Sequence, residues 1–327
     1  MKVIVTGSLG HISKPLVKLL VSQNHAVTVI SSNAERTPEI EALGATAKIG
    51  KVEDAAFLVS AFKGHDAAYC MLPPFRFFDA AAPDYKKEAV QIAKNYVHAI
   101  QENGIQKVVH LSSVGAEKKA HTGLLVFHYL VEQVFKELPS EIALTHIRPG
   151  SFDYNLYAFT DMIKGRGFLA GFVGKLITLR HYGLKGLLKG YSGIILSNYG
   201  AADKVPWVSP HDIAEAVSEE LCSSFNGRKI RYVASEELTC QEVASILGAA
   251  VGKPYLKWVL ISDKQMTSAM KQFGAPQNIA LEFTEMNKVM HDGSVFEDYY
   301  KNRPAQLGKV KMRDFAQEFA VHFRKDS

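Results

Sequence analysis

Val3-Ile4-Val5 is a run of β-branched residues without a polar break, ended by Thr6-Gly7. Such a run predicts a strand covered on both faces, as in a parallel sheet. From about His11 the spacing becomes helical. Leu16, Val17, Leu19 and Leu20 form an apolar face, and Pro15 is tolerated in a first turn. The exchange then repeats. HAVTVIS (25–31), ATAKIG (45–50), HDAAYCML (65–72), KVVHLSS (107–113) and IALTHIRPG (142–150) read as further strands, and HDAAYCML stops at Pro73-Pro74. YKKEAVQIAKNYVHAIQENG (85–104) and LLVFHYLVEQVFKEL (124–138) read as helices, with Gly104 as a stop signal. Strands alternating with helices at this spacing predict βαβ units and an α/β fold with a doubly wound parallel sheet.

After Gly150 the rhythm changes. Residues 151–204 are rich in glycine and aromatic residues. SPHDIAEAVSEELC (209–222) reads as a helix, KIRYVAS (229–235) as a late strand, and TCQEVASILGAAVG (239–252) as a helix with Thr239 and Glu242 in capping-box spacing. The chain from Ser262 onward reads as helical. The expected organisation is a core over 1–150 and a smaller α/β lobe over 151–327, with late elements returning to the core.

The composition of the 327 residues, 47% hydrophobic and 22% charged, is that of a folded globular chain. Cys70, Cys222 and Cys240 suit neither a disulfide framework nor a zinc site, and the histidines show no paired-ligand spacing, so no metal is expected. Val3–Val5 is too short for a signal-peptide core, and no apolar stretch approaches the roughly 18 residues of a membrane span. A cytoplasmic protein is the expectation. The net charge is +5. Lys164, Arg166, Lys175, Arg180, Lys185 and Lys189 lie in a span free of acids between Asp161 and Asp203. The basicity therefore belongs to segment 164–189, a candidate contact for a partner or subunit, and not to a general nucleic-acid surface.

Candidate chemistry begins at VTGSLGHISKP (5–15). Gly7 and Gly10 stand three apart, and Ser13 holds the next position in that spacing. One reading is a phosphate cradle: Gly7 makes the tight turn, Gly10 lets a diphosphate near the backbone, and a helix amino terminus attracts the anion. The other is a plain strand-to-helix turn. At the end of the second strand, Ser31-Ser32-Asn33 and then Arg36 replace the carboxylate that usually binds a ribose 2′-hydroxyl. Small hydroxyls and a guanidinium suit a 2′-phosphate, which favours NADP (NADPH) over NAD; alternatively Arg36 is an ordinary solvated charge.

TGSLGHIS (6–13), MLPP (71–74), VVHLSSVGA (108–116), HIRPGSF (146–152), VPWVSPHDIAEAV (205–217) and YVASEELTCQEVASILGAAVGKP (232–254) occur in an order that resembles the NmrA-like atypical short-chain dehydrogenases. The likeness runs from residue 1 to about 325, with an apparent insertion near 165–200. It implies a Rossmann-type fold with a small carboxyl-terminal lobe, and NAD(P) binding. That family holds NADPH-dependent quinone and ether reductases, and proteins that only sense the nucleotide. The resemblance places Gly7, Ser8, Leu9, Gly10, His11 and Ile12 along the diphosphate, and Ser32 and Arg36 at the adenosine ribose. It places Met71, Leu72 and Pro73 by the nicotinamide ribose, Ser112 and Ser113 near the nicotinamide, and Pro149, Gly150 and Ser151 over the ring.

The departure is on the helix after the fifth strand. Ordinary short-chain dehydrogenases carry Tyr-x-x-x-Lys there, whereas this chain has Leu124 and His128. His128 either contacts the cofactor ribose and supplies a proton near neutrality, or is a helix histidine without a catalytic part. Tyr154 either reaches a small-molecule substrate or is core. Hydride transfer to a quinone needs stacking and an apolar pocket more than a proton-transfer dyad. The expected function is an NAD(P)H-dependent oxidoreductase, NADPH-preferring, that reduces a quinone or similar small electrophile. Its alternative is a non-catalytic NAD(P) sensor, and a nucleotide-sugar epimerase-like enzyme ranks lower for want of the dyad. The insertion reads as a lid, as an interface patch, or as a solvated loop and helix, and its glycines argue against a stable isolated helix.

Overall fold

The computed structural model describes residues 1–166, 168–188 and 193–325. The chain divides into two compact units. The first comprises Met1–Pro149, Pro210–Val233 and Lys301–Pro304; the second comprises Gly150–Ser209, Ala234–Tyr300 and the chain from Ala305 on. The first unit runs β1 (Lys2–Val5), α1 (Ser13–Ser22), β2 (Ala26–Ser31), α2 (Thr37–Ala42), β3 (Thr46–Ile49), α3 (Ala55–Phe62), β4 (Ala67–Cys70), α4 (Tyr85–Glu102), β5 (Lys107–Leu111), α5 (Val126–Phe135) and β6 (Ala143–Pro149). The second opens with β7 (Ser151–Phe152), α6 (Thr160–Lys164), α7 (Phe168–Leu188), β8 (Ile194–Ser197) and β9 (Lys204–Val208). The chain then returns to the first unit for α8 (Pro210–Cys222) and β10 (Arg228–Val233). It ends with β11 (Glu236–Thr239), α9 (Cys240–Ala250), β12 (Lys257–Leu260), α10 (Asp263–Gln272), α11 (Gln277–His291), α12 (Glu297–Lys301) and α13 (Met312–Lys325).

In the first unit, β3-β2-β1-β4-β5-β6-β10 form one sheet of seven strands, all pairs parallel. This is the doubly wound α/β sheet that the alternation predicts. The apolar run explains the place of β1 at its centre: Val3, Ile4 and Val5 are wholly buried, between β2 and β4. Ile4, Ile30, Ala68, Cys70, Val108 and Leu144 share one core with Leu58, Phe62, Ile92, Tyr96, Val131 and Phe135 of α3, α4 and α5. Each large side chain buried there contributes about 1.5–3 kcal/mol. Asp84 starts α4 by accepting from the Lys86 and Lys87 amides. The strand order reverses beside β1, with β2 on one side and β4 on the other. An open sheet has its crevice outside the carboxyl ends of the strands at that point.

Local differences from the sequence expectation have physical causes. α1 begins at Ser13 and not near His11, because Gly7 (φ +87°) and Ser8 (φ +55°) turn the chain first. β4 ends at Cys70, because the Met71 amide donates to the Thr6 hydroxyl (2.9 Å). The second unit contains short strands with no alternating pattern to reveal them. β11 runs antiparallel to β9, β7 runs parallel to β9, and β12 runs parallel to β8. α7 is helical despite its glycines and breaks at Gly183 (φ +59°, ψ −165°). Of the basic segment and insertion, Gly167, Lys189, Gly190, Tyr191 and Ser192 lie outside the described residues. Among the described residues no helix is long and apolar enough to cross a membrane.

Candidate functional site

The turn after β1 is built around Gly7. A Cβ there would stand 2.2 Å from the Met71 sulfur and 2.8 Å from Ser13 Oγ, so a side chain is excluded by packing as well as by φ. Thr6 links the ends of β1 and β4: its hydroxyl donates to the Tyr69 carbonyl (3.1 Å) and accepts from the Met71 amide. Tyr96 Oη donates to the Met71 carbonyl (2.8 Å) and fixes the main chain from the other side. Ser13, fully buried, donates to the Thr6 carbonyl (2.8 Å). The first residue of α1 is thereby pinned beneath the strand, which is the close helix–strand packing that a third glycine would otherwise permit.

Gly10 and His11 are exposed, while Leu9 and Ile12 are buried. The Gly10 amide donates to the Gly7 carbonyl (3.1 Å) and closes the turn. No side chain caps α1, and its first turn holds no acid. The Lys14 amide donates to the Gly10 carbonyl (3.0 Å) and Pro15 has no N–H, so what the terminus offers an anion is the positive end of the helix dipole and the turn amides ahead of it.

At the end of β2 it is Ser31, not Ser32, that faces the turn. Ser31 is buried; its hydroxyl accepts from Ser8 Oγ (2.9 Å) and from the Asn33 amide (3.1 Å). Ser32 is exposed. Arg36 Nη1 pairs with Glu39 Oε2 (2.8 Å), and Lys14 Nζ pairs with Glu39 Oε1 (2.7 Å). The hydrogen bonds from Lys14 and then Arg36 hold the Glu39 carboxyl below its ordinary range. Two cations thus share one carboxylate beside the loop. Lys14 and Glu39 escaped sequence reasoning; the three-residue step from Arg36 to Glu39 was a visible signal, whereas nothing local marks Lys14.

Met71, Leu72 and Pro73 are half-buried after β4. Beyond them Phe75, Phe77, Tyr85 and Phe127 form edge-on and tilted ring contacts 5.1–6.0 Å between centroids. His128 lies against Phe127 (4.0 Å), and its Nδ1 is covered and has no hydrogen-bond partner among the described residues. Burial lowers the His128 pKa to about 4, with Arg148 repelling the charged form and Glu132 opposing both. The half-buried His128 ring therefore takes up a proton less readily than the near-neutral imidazole that the sequence suggests.

The serines after β5 part company. Ser113 is half-buried, but Ser112 is buried and its hydroxyl donates to Glu132 Oε1 (2.6 Å). Glu132 also accepts from Arg148 Nε (2.9 Å) and Nη2 (2.7 Å). Arg148 Nη1 reaches Glu117 Oε2 (3.1 Å) and Tyr232 Oη (2.9 Å). Burial alone would raise the Glu132 pKa, but the Arg148 hydrogen bonds, the His146 and Arg148 charges and the Ser112 hydroxyl together hold it low. Next to it, His110 and His146 are register partners on β5 and β6, joined Nδ1 to Nδ1 at 2.9 Å. Burial, with Arg148, brings the His146 pKa down to about 4 against the pull of Glu132.

Pro149 ends β6 and accepts the Val114 amide (3.1 Å). Gly150, Ser151 and Tyr154 belong to the second unit. A Cβ on Gly150 would meet the Pro206 carbonyl at 2.1 Å, so the approach of β7 to β9 requires glycine there. Ser151 pairs with Trp207 in that contact. Tyr154 stacks on Phe152 (5.2 Å), and burial, with Asp153 nearby, raises its phenol to about 12. Among the described residues no three His, Cys, Asp or Glu side chains gather as a metal site.

A profile of the NmrA-like family matches residues 1–319. No curated protein sequence matches. The NADPH-dependent quinone oxidoreductase from Escherichia coli, solved with NADPH, is similar at 17% identity, covering 97% of this chain and 99% of that one with a TM-score of 0.72. The Citrobacter triphenylmethane reductase, solved with NADP(H), is similar at 18% identity, covering 97% and 99% with a TM-score of 0.70. A nucleoside-diphosphate-sugar epimerase from Staphylococcus aureus is similar at 14% identity, covering 97% and 100% with a TM-score of 0.70.

Proposed function

We propose, since the chain belongs to the NmrA-like family, that it is an NADPH-preferring oxidoreductase that reduces a quinone or similar small planar electrophile. The observation that carries this reading is the uncapped, acid-free amino terminus of α1 behind the Gly7 turn. The main chain of Gly7, Ser8, Leu9, Gly10, His11 and Ile12 would hold the diphosphate there. Arg36, with Lys14 beside it and Ser32 exposed nearby, would take a 2′-phosphate once the shared Glu39 contact yields. Met71, Leu72, Pro73 and Ser113 border the path toward the nicotinamide, while Ser112 supports it through Glu132. The bound nucleotide supplies a hydride; the protein supplies orientation and an apolar, ring-lined surface that excludes water.

One observation favours a second reading, a nucleotide sensor without turnover. Leu124 and His128 stand where a proton-donating dyad would be, and His128 has a covered Nδ1 and a lowered pKa. Fluorescence titration with NADPH and NADH, followed by turnover on a panel of quinones, separates the two. NADPH should bind at least about ten-fold more tightly than NADH, and Arg36→Ala should remove that margin. Binding without turnover on any quinone favours the sensor. Binding of neither nucleotide ends both readings.

A further inference from the structure

We propose that α7 is a peripheral docking element for an anionic lipid surface. The inference stands apart from the nucleotide reading and rests on exposed residues of the second unit. Leu176 (57%) and Leu179 (46%) before the break at Gly183, and Leu184 (72%) and Leu188 (87%) after it, are all solvent-exposed. Single exposed leucines are ordinary on a protein surface; two exposed pairs within thirteen residues, each beside cations, are not.

The arrangement of charge says what covers it. At about 100° per residue, Leu176 and Leu179 lie about 60° apart on the helix, with Lys175 and Arg180 each about 40° outside them. All four are exposed, while Thr178 is buried on the far side. An apolar strip edged by cations matches the depth profile of a bilayer interface. Leucines enter the acyl boundary, and the long basic side chains bend back to headgroup phosphates. Past the break at Gly183, Leu184 and Leu188 stand one turn apart with Lys185 exposed beside them. No acid occurs in the sequence between Asp161 and Asp203. A second copy docking face to face would set cations against cations, which disfavours self-association. A protein partner would bring a matching apolar groove, but the break at Gly183 leaves the leucines as two separate pairs and not one discrete anchor.

The test is flotation of the full chain with unilamellar vesicles of phosphatidylcholine alone or mixed with phosphatidylglycerol. The chain should float with the anionic vesicles and not with the neutral ones, and raised salt should weaken binding. Leu184→Ser with Leu188→Ser, and separately Lys175→Glu with Arg180→Glu, should each lower partitioning about ten-fold or more while leaving the thermal midpoint unchanged. Because these side chains are exposed, either pair serves if the other fails to fold. Three outcomes overturn the proposal. One is no flotation with anionic vesicles. Another is flotation insensitive to the leucine changes, which is plain charge adsorption. The last is a lipid-free dimer in light scattering that the leucine changes abolish, which assigns the strip to a second copy.

Discussion

At the scale of the residue, Gly7 carries two constraints at once. Its φ of +87° disfavours any side chain, and the space that a Cβ needs is filled by the Met71 sulfur and Ser13 Oγ. Gly7→Ala should cost about 1–3 kcal/mol from backbone strain alone, read as a lower urea midpoint, and should weaken NADPH binding at the same time. An unchanged midpoint would mean that the turn relaxes and that the packing account is wrong. The glycine itself was legible, because it ends an apolar run. Its contact with Met71 was not, since the two meet only after β1 and β4 pair. The same limit hid Lys14, Glu39 and the Arg148–Glu132 pair, whose members are separated in sequence and meet only when the helices pack in the folded unit. His128 was visible as a candidate, but its lowered pKa follows from burial that no local pattern announces.

At the scale of the element, long helices and strands set in the strand–helix alternation were legible, including the four-residue β1, β3 and β4, and the short strands outside it were not. α4, with its eighteen residues and Asp84 cap, shows a sustained apolar stripe. β7, β8, β9, β11 and β12 have two to five residues each, too few for a period to register. α9 is the case in which a local signal sufficed. Thr239 Oγ1 accepts from the Glu242 amide (3.2 Å), and Glu242 Oε2 accepts from the Thr239 amide (2.7 Å), as the spacing predicts. Thr239→Ala should therefore destabilise the chain by about 1 kcal/mol, measured by denaturant midpoint at fixed slope, without altering nucleotide binding. A neutral effect would show that α13, which packs on α9, holds that helix by itself.

At the scale of the whole molecule, acid is the weak point. His128 and His146 titrate at about 4 in the folded chain against an ordinary 6.5. As pH falls from 6.5 toward 4 the unfolded chain takes up those protons first, so stability present above 6.5 is lost across that window. Glu132, held low by its partners, adds a loss of the same sign as pH falls below the ordinary carboxylate range. Urea midpoints at pH 7.5, 5.5 and 4.5 should therefore fall in that order at fixed slope, as the unfolding free energy drops by roughly several kcal/mol in all; equal midpoints would contradict the burial described. β10 has a separate consequence, one that concerns how the chain is made. It lies beside β6, yet the ribosome delivers it only after the whole stretch from Gly150 to Ser209. Until then the nascent sheet ends in a bare β6 edge, and Arg148 waits for its Tyr232 hydroxyl. A gene fragment stopped at residue 150 would encode six of the seven strands with a sticky edge, and not an independent cofactor module.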